Sequence, residues 1–233
     1  MRRLIRKIIY TRSFARLLIK PILKMHSLSY SLADVFSIAF EGIHPKHRIL
    51  KYKEWFLEQI EPGWVILDIG SNTGGMASLL ADKAGFVYGI EIKKELIQTA
   101  ESLGRKANIE YINADALNFD FSRLRKVDCV ILSNVLEHIE NRVLFLKNII
   151  KTLNWNYPER KMFLFRVPMI NRDWIVLYKK ELGLDYRSDK THFVEYTLDG
   201  FQDELRQSGI QMLHYEIRFG EIYSLAVAAN NPQ

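Results

Sequence analysis

One cysteine is all that this chain of 233 residues contains. A single thiol excludes an intramolecular disulfide and any multi-cysteine zinc site, and it agrees with a reducing, cytoplasmic setting. Cys129 lies in the apolar run Cys129-Val130-Ile131-Leu132, so it reads as a buried structural thiol rather than a nucleophile. No apolar run is long enough to span a membrane, and no repeat or low-complexity segment interrupts the chain. Acids are missing from the first 24 residues, which hold eight bases: Arg2, Arg3, Arg6, Lys7, Arg12, Arg16, Lys20 and Lys24. The formal charge of +6 therefore misleads, because residues 25–233 carry 25 bases against 27 acids, a net of −2. A body so nearly neutral argues against a nucleic-acid partner held on a broad basic face.

What the chain does have is a glycine turn. Val65-Ile66-Leu67-Asp68-Ile69-Gly70-Ser71-Asn72-Thr73-Gly74-Gly75 reads as a buried strand, a tight turn and a helix start. Bare backbone in such a turn can approach a ligand closely. Glu91 follows sixteen residues beyond Gly75, at the tip of the strand-like run Phe86-Val87-Tyr88-Gly89-Ile90. A carboxylate there is placed to accept hydrogen bonds from a ribose diol. A dinucleotide site needs a third glycine where Asn72 stands, and Asp68 would repel a pyrophosphate. Both features disfavour a nicotinamide-dependent dehydrogenase. The same acid could pair with a cationic amino-acid moiety.

The run Asp68-Ile69-Gly70-Ser71-Asn72-Thr73-Gly74 resembles the first motif, D-x-G-x-G-x-G, of the class I S-adenosylmethionine-dependent methyltransferases. Asn72 departs from it, but asparagine is the non-glycine residue that best tolerates positive φ. The resemblance implies S-adenosylmethionine as cofactor, held by Asp68, Gly70, Ser71, Asn72, Gly74, Glu91, Ile92, Asp115, Ala116 and Ser133. In it, Glu91 takes the ribose hydroxyls and Asp115, in Asn113-Ala114-Asp115-Ala116, the adenine amine.

The rest of the pattern is alternating. Strands are expected at 64–69, 86–91, 109–113, 127–133 and 161–167, with helices at 73–84, 93–104 and 141–153. A helix over Arg48 to Ile60 precedes them, ended by Pro62-Gly63. Thr197 caps a helix to about Gln207, and two strand-like runs follow around Phe219-Gly220. The expected fold is α/β, doubly wound, with a mostly parallel seven-stranded sheet closed by a terminal antiparallel hairpin. Residues 48–233 would form this domain, with 168–196 inserted on the substrate side, and 1–47 would be an arm and lid.

Leu132-Ser133-Asn134-Val135-Leu136-Glu137-His138-Ile139 is similar to the v-L-E-H segment of the broad methyltransferase group that includes ubiquinone-biosynthesis enzymes. That position faces the transferred methyl group, and His138 has the chemistry of a general base. His192 and Glu195, in the charged insertion, are further base candidates, while Trp174, Tyr186 and Arg187 could line an acceptor pocket. Their bland counterparts are a histidine holding a loop and a charged surface helix at 173–182. Glu137-His138 with a later histidine also resembles the metal cluster of certain small-RNA and ubiquinone O-methyltransferases. There an acid precedes by three positions; here it is Asn134, a weaker ligand, and no metal site is assigned. An Asn/Asp-Pro-Pro-aromatic run, the mark of enzymes methylating exocyclic base amines, is absent.

These readings converge on O-methylation of a small-molecule, sugar or lipid-linked acceptor. A non-catalytic cofactor-binding partner protein and an RNA methyltransferase are the alternatives. In the arm, Leu4, Ile5, Ile8 and Ile9, then Phe14, Leu17 and Leu18, recur at helical spacing beside the bases until Pro21 interrupts. That composition fits contact with an anionic membrane surface through residues 1–24, a mitochondrial presequence, or a helix packed on the body.

Overall fold

The computed structural model describes residues 11–104 and 106–228, so Leu4, Ile5, Ile8 and Ile9 of the arm lie outside the described residues. The chain divides into two compact units, Met1–Lys51 with Asp173–Tyr186, and Tyr52–Arg172 with Arg187–Gln233. The segment read as a substrate-side insertion is thus shared between them.

In the first unit one helix, α1 (Arg12–Glu41), runs for 30 residues straight through Pro21. The break expected there does not occur. Proline removes one N–H, and the carbonyl it orphans belongs to Leu17, which is exposed and can bond water instead. Gly42, at φ 73°, closes α1 by donating its N–H to Ile38 O. Next comes α2 (Pro45–Leu50), with Pro45 in the first turn and His44 Nδ1 accepting from the Lys46 N–H. Lys51 turns left-handed, φ 47°, and splits the single helix expected over residues 48–60 into α2 and α3 (Tyr52–Gln59). Within the same unit α7 (Trp174–Glu181) starts on an Asp173 cap, and its Lys179 Nζ donates to Ser27 Oγ at 2.8 Å.

The second unit holds the sheet. Its strands are β1 (Val65–Ile69), β2 (Phe86–Glu91), β3 (Ile109–Asn113), β4 (Cys129–Ser133), β5 (Lys161–Pro168), β6 (Ile210–Arg218) and β7 (Glu221–Ala228), in spatial order β3-β2-β1-β4-β5-β7-β6. The first five are parallel, and β7 lies antiparallel between β5 and β6. Connecting helices are α4 (Gly75–Leu80), α5 (Lys94–Ser102), α6 (Arg142–Thr152) and α8 (Leu198–Gln207). Because side chains alternate along a strand, the near-continuous apolar runs feed two cores at once. Leu67, Val130, Leu132, Phe163 and Phe165 face the α6 and α8 side, while Ile66, Ile131 and Leu164 meet Trp55, Phe56 and Leu80 of α3 and α4. Cys129 is fully buried in the second core, as its apolar neighbours require.

Covering both faces leaves the carboxyl edge of the sheet as the place where backbone and polar side chains gather. The chain reverses direction of winding between β1, flanked by β2, and β4, so their carboxyl ends open a crevice.

Phe163 is the clearest test of this core, being fully buried and stacked on Phe165 with centroids 5.7 Å apart. Phe163→Ala should cost about 3–5 kcal/mol of unfolding free energy, read as a lower urea midpoint at unchanged slope.

Candidate active site

Three left-handed residues shape the turn after β1: Gly70 at φ 76°, Asn72 at φ 50° and Gly74 at φ 73°. Asn72 therefore adopts the conformation its residue type allowed for. Gly70 and Gly74 also need their missing Cβ. At Gly70 that atom would stand 2.6 Å from Val135 Cγ2, and at Gly74 2.2 Å from the Tyr111 hydroxyl.

Asp68, the last residue but one of β1, is almost wholly buried, and its Oδ2 makes no hydrogen bond among the described residues. Burial pushes its pKa up to about 7, reinforced by the negative Glu91 and opposed by Lys53. Ser71 Oγ is likewise buried without a partner. Glu91 accepts from the Asn72 N–H and the Lys93 N–H, each at 3.0 Å, one on each carboxylate oxygen. Each oxygen keeps a lone pair for a further donor. Asp115 closes its own turn, accepting from Leu117 N–H at 2.9 Å and from Asn118 Nδ2 at 2.8 Å. Ala116 packs against the main core, Ile92 is exposed beside Glu91, and Ser133 ends β4.

After β4 the chain turns through Asn134, φ 55°, into a short 3-10 turn, Leu136–His138. Glu137 is fully buried, and among the described residues neither carboxylate oxygen meets a partner outside its own residue. Burial drives its pKa up to about 8. The insertion folds back onto this turn, with Phe193 N–H donating to Glu137 O at 2.8 Å. That brings His192 against His138, rings edge to face with centroids 4.6 Å apart. Among the described residues, Glu137, His138 and His192 bring ligand atoms within 4.8 Å of one another, a donor set that could hold a divalent ion.

The outer partners set the tautomers. Thr191 Oγ1 donates to Asp189 and faces His138 Nδ1 at 2.9 Å, so that nitrogen is the donor and Nε2 keeps the lone pair. His192 Nδ1 faces Glu195 Oε1 at 3.4 Å. Burial and the neighbouring His192 lower the pKa of His138, keeping it neutral. Glu195, despite burial, is held down to about 2 by His192, Arg172 and Ser188. Its two oxygens are taken by the Arg172 guanidinium and by the Ser188 N–H and hydroxyl. Arg187 Nη1 donates to His192 O at 3.1 Å. Trp174 is largely exposed and Tyr186 lies under Lys180 Nζ at 5.4 Å, both within the other unit.

Reading the sequence alone missed Tyr52, Lys53, Arg166 and Glu221. Arg166 is buried on β5 with its guanidinium 4.0 Å above the Tyr52 ring and Nε 3.8 Å from Glu221. With its amide turned to satisfy both groups, Asn134 accepts from Arg166 Nη2 at 2.8 Å and donates to Arg166 O. Arg166 Nη1 has no partner among the described residues. Lys53 Nζ lies where a Cβ on Gly75 would be only 2.6 Å away. A charge inside Met162-Phe163-Leu164-Phe165-Arg166-Val167 was the available signal; nothing marked Tyr52 or Lys53.

Against known proteins, the model of a family described as a methyltransferase domain matches residues 67–155. Residues 67–155 are therefore similar to a methyltransferase domain, in line with the class I S-adenosylmethionine-dependent resemblance of the glycine turn. The chain is 32% identical over 120 residues to N-methyltransferase 4 of Papaver somniferum, covering 49% of this chain and 32% of that protein. It is 37% identical over 67 residues to ribosomal RNA small subunit methyltransferase A of Moorella thermoacetica, 28% of this chain and 23% of that one. These curated relatives are thus matched over a third of their length or less. The structure of magnesium protoporphyrin IX methyltransferase from Synechocystis PCC 6803, with bound SAH, superposes with a TM-score of 0.57 at 17% identity. That match covers 79% of this chain and 83% of that one, and at such identity it speaks for the fold.

The cofactor that such a domain implies is S-adenosylmethionine. The turn after β1 fits it: a buried acid with an unused oxygen suits a cationic amino-acid moiety, and the glycines admit close approach. Glu91 retains acceptor capacity for a diol.

Asp68 has a measurable consequence in the ligand-free protein. Its folded pKa lies above its unfolded value, so its stabilising contribution is complete below about pH 4 and is lost as pH rises through about 7. Asp68→Asn should flatten that loss, on the order of 1 kcal/mol per pH unit, in urea titrations run from pH 5 to 7.5.

Proposed function

We propose that this methyltransferase transfers the methyl group to a hydroxyl of a small-molecule, sugar or lipid-linked acceptor. The observation that carries this reading is the Glu137–His138–His192 cluster at the carboxyl end of β4, one strand from the turn after β1. Methyl transfer to a hydroxyl is an in-line displacement, which needs an aligned oxygen and a base for its proton. His138 is neutral, oriented by Thr191, and presents Nε2 as the base. His192 is its companion in the acceptor site, and Glu195 acts by fixing the His192 ring. Asp68, Gly70, Ser71, Asn72, Gly74, Glu91, Ile92, Asp115, Ala116 and Ser133 form the cofactor side. The acid-free basic residues 1–24 support action beside an anionic membrane.

A second reading of the same cluster rests on Glu137, whose two buried oxygens lack partners among the described residues. With His138 and His192 it would hold a divalent cation, whose chemistry would be to lower the pKa of the acceptor hydroxyl.

Calorimetry with S-adenosylhomocysteine should give heat for the wild type and about tenfold or weaker binding for Glu91→Ala. No heat from the wild type would remove the cofactor assignment. Labelled-methyl transfer into fractionated cell extract then reports the acceptor class. His138→Ala should cost about 10²–10⁴-fold in rate while leaving S-adenosylhomocysteine affinity unchanged. Transfer into an amine or RNA fraction refutes the hydroxyl reading, and binding without turnover points to a non-catalytic partner. Inhibition by a chelator, reversed by manganese, selects the metal reading over the simple base.

A further inference from the structure

A helix lying on a globular body turns its polar face to water. In α1 an apolar row faces water as well. Leu23, Ser27 and Asp34 lie along one face, where Leu23 is buried, Ser27 accepts from Lys179 and Asp34 pairs with His44 Nε2 at 2.5 Å. Half a turn away, bulky apolar residues recur at spacings of three and four: Phe14, Leu17, Met25, Leu28, Leu32 and Val35, with Pro21 filling the interval. All are exposed, Leu17, Met25, Leu28 and Val35 by more than 60% of their surface. The row runs for some six turns, about 30 Å of continuous apolar surface. That is larger than a soluble surface ordinarily leaves open.

Charge selects the occupant. Arg12, Arg16, Lys20 and Lys24 crowd the first half of the helix, with no acid before Asp34. From Met25 to Phe40 the only formally charged residue is that same Asp34, which His44 Nε2 already contacts. The flanks of the row carry Ser29, Ser31 and Ala33, not the alternating acids and bases that zip two helices together. Two parallel copies would also set their basic halves side by side. No helix among the described residues is long and apolar enough to cross a membrane, so a helix of this kind lies in the interface.

We propose that α1 is a membrane-docking helix. Its row from Phe14 to Val35, with the exposed Phe36 beside it, enters the acyl boundary of an anionic leaflet, and its basic first half sits among the headgroups. The inference does not depend on the acceptor of the methyl group. It shifts the docking surface from the basic arm to a row that extends well past residue 24.

The test is co-sedimentation of the full chain with phosphatidylcholine vesicles, with and without phosphatidylserine. Wild type should sediment with the anionic vesicles and release at high salt. The double variant Leu28→Asp/Leu32→Asp should lose about tenfold or more of that affinity, and Lys20→Glu/Lys24→Glu should lose the dependence on anionic lipid. Leu103→Asp, an exposed apolar position in the other unit, should bind as wild type. Circular dichroism confirms that each variant stays folded, and Phe36→Trp should shift its emission to the blue on adding vesicles. Binding unchanged in Leu28→Asp/Leu32→Asp, equal binding to neutral vesicles, or no emission shift would overturn the proposal. So would a vesicle-free dimer that the same double variant converts to monomer, which would assign the row to self-association.

Discussion

Covering both faces of a parallel sheet is the constraint on which this molecule's chemistry depends. With helices over Ile66 and Leu164 on one side and Leu67 and Phe163 on the other, polar side chains have no place along β1, β4 or β5 except near the carboxyl edge. Most of the buried polar atoms without hydrogen-bond partners among the described residues lie at that edge: Asp68 Oδ2, Ser71 Oγ, both Glu137 oxygens and Arg166 Nη1. In most folds buried polar groups find each other. Here they have been left facing a ligand's place instead, and the core bears their desolvation.

The two carboxylates illustrate two different uses of the same physics. Asp68 and Glu137 are both pushed toward neutral pH by burial. Asp68 sits beside Lys53 and a glycine turn, an environment a positively charged amino-acid group would complete. Glu137 sits beside two histidines whose protons are already steered outward by Thr191 and Glu195. Glu195 shows the opposite case, a buried acid so fully bonded that it stays ionised. Its value to the site lies in where it holds His192.

Much of this was legible in the residues. The five parallel strands fall within two residues of where apolar runs and glycines put them, and the terminal hairpin forms around Phe219-Gly220. Local patterns of this kind survive because each strand is buried on both faces. Legibility failed where the cause was distant. Lys51 divides a helix that periodicity makes continuous, and Pro21 fails to divide one, because the outcome turns on exposure of the Leu17 carbonyl region. His192 stood out as a candidate, but its edge-to-face contact with His138 arises from a loop returning across 53 residues, the separation between Thr191 and the same histidine. Arg166 was visible only as a charge out of place in an apolar strand, and Tyr52 and Lys53 not at all.

The pairing of Lys179 with Ser27 spans 152 residues of sequence. The unit to which both belong is therefore built from a stretch that precedes the sheet in the chain and from one that follows much later, after β5. During translation α1 must wait, apolar row and all, while the parallel sheet assembles. Closing so long a loop adds little equilibrium cost, since that cost grows only logarithmically with length. Its effect is on timing, for a long-range contact forms late. The face that Lys179 meets, at Ser27, lies half a turn from the apolar row, so the row stays open to solvent both before and after that late contact forms.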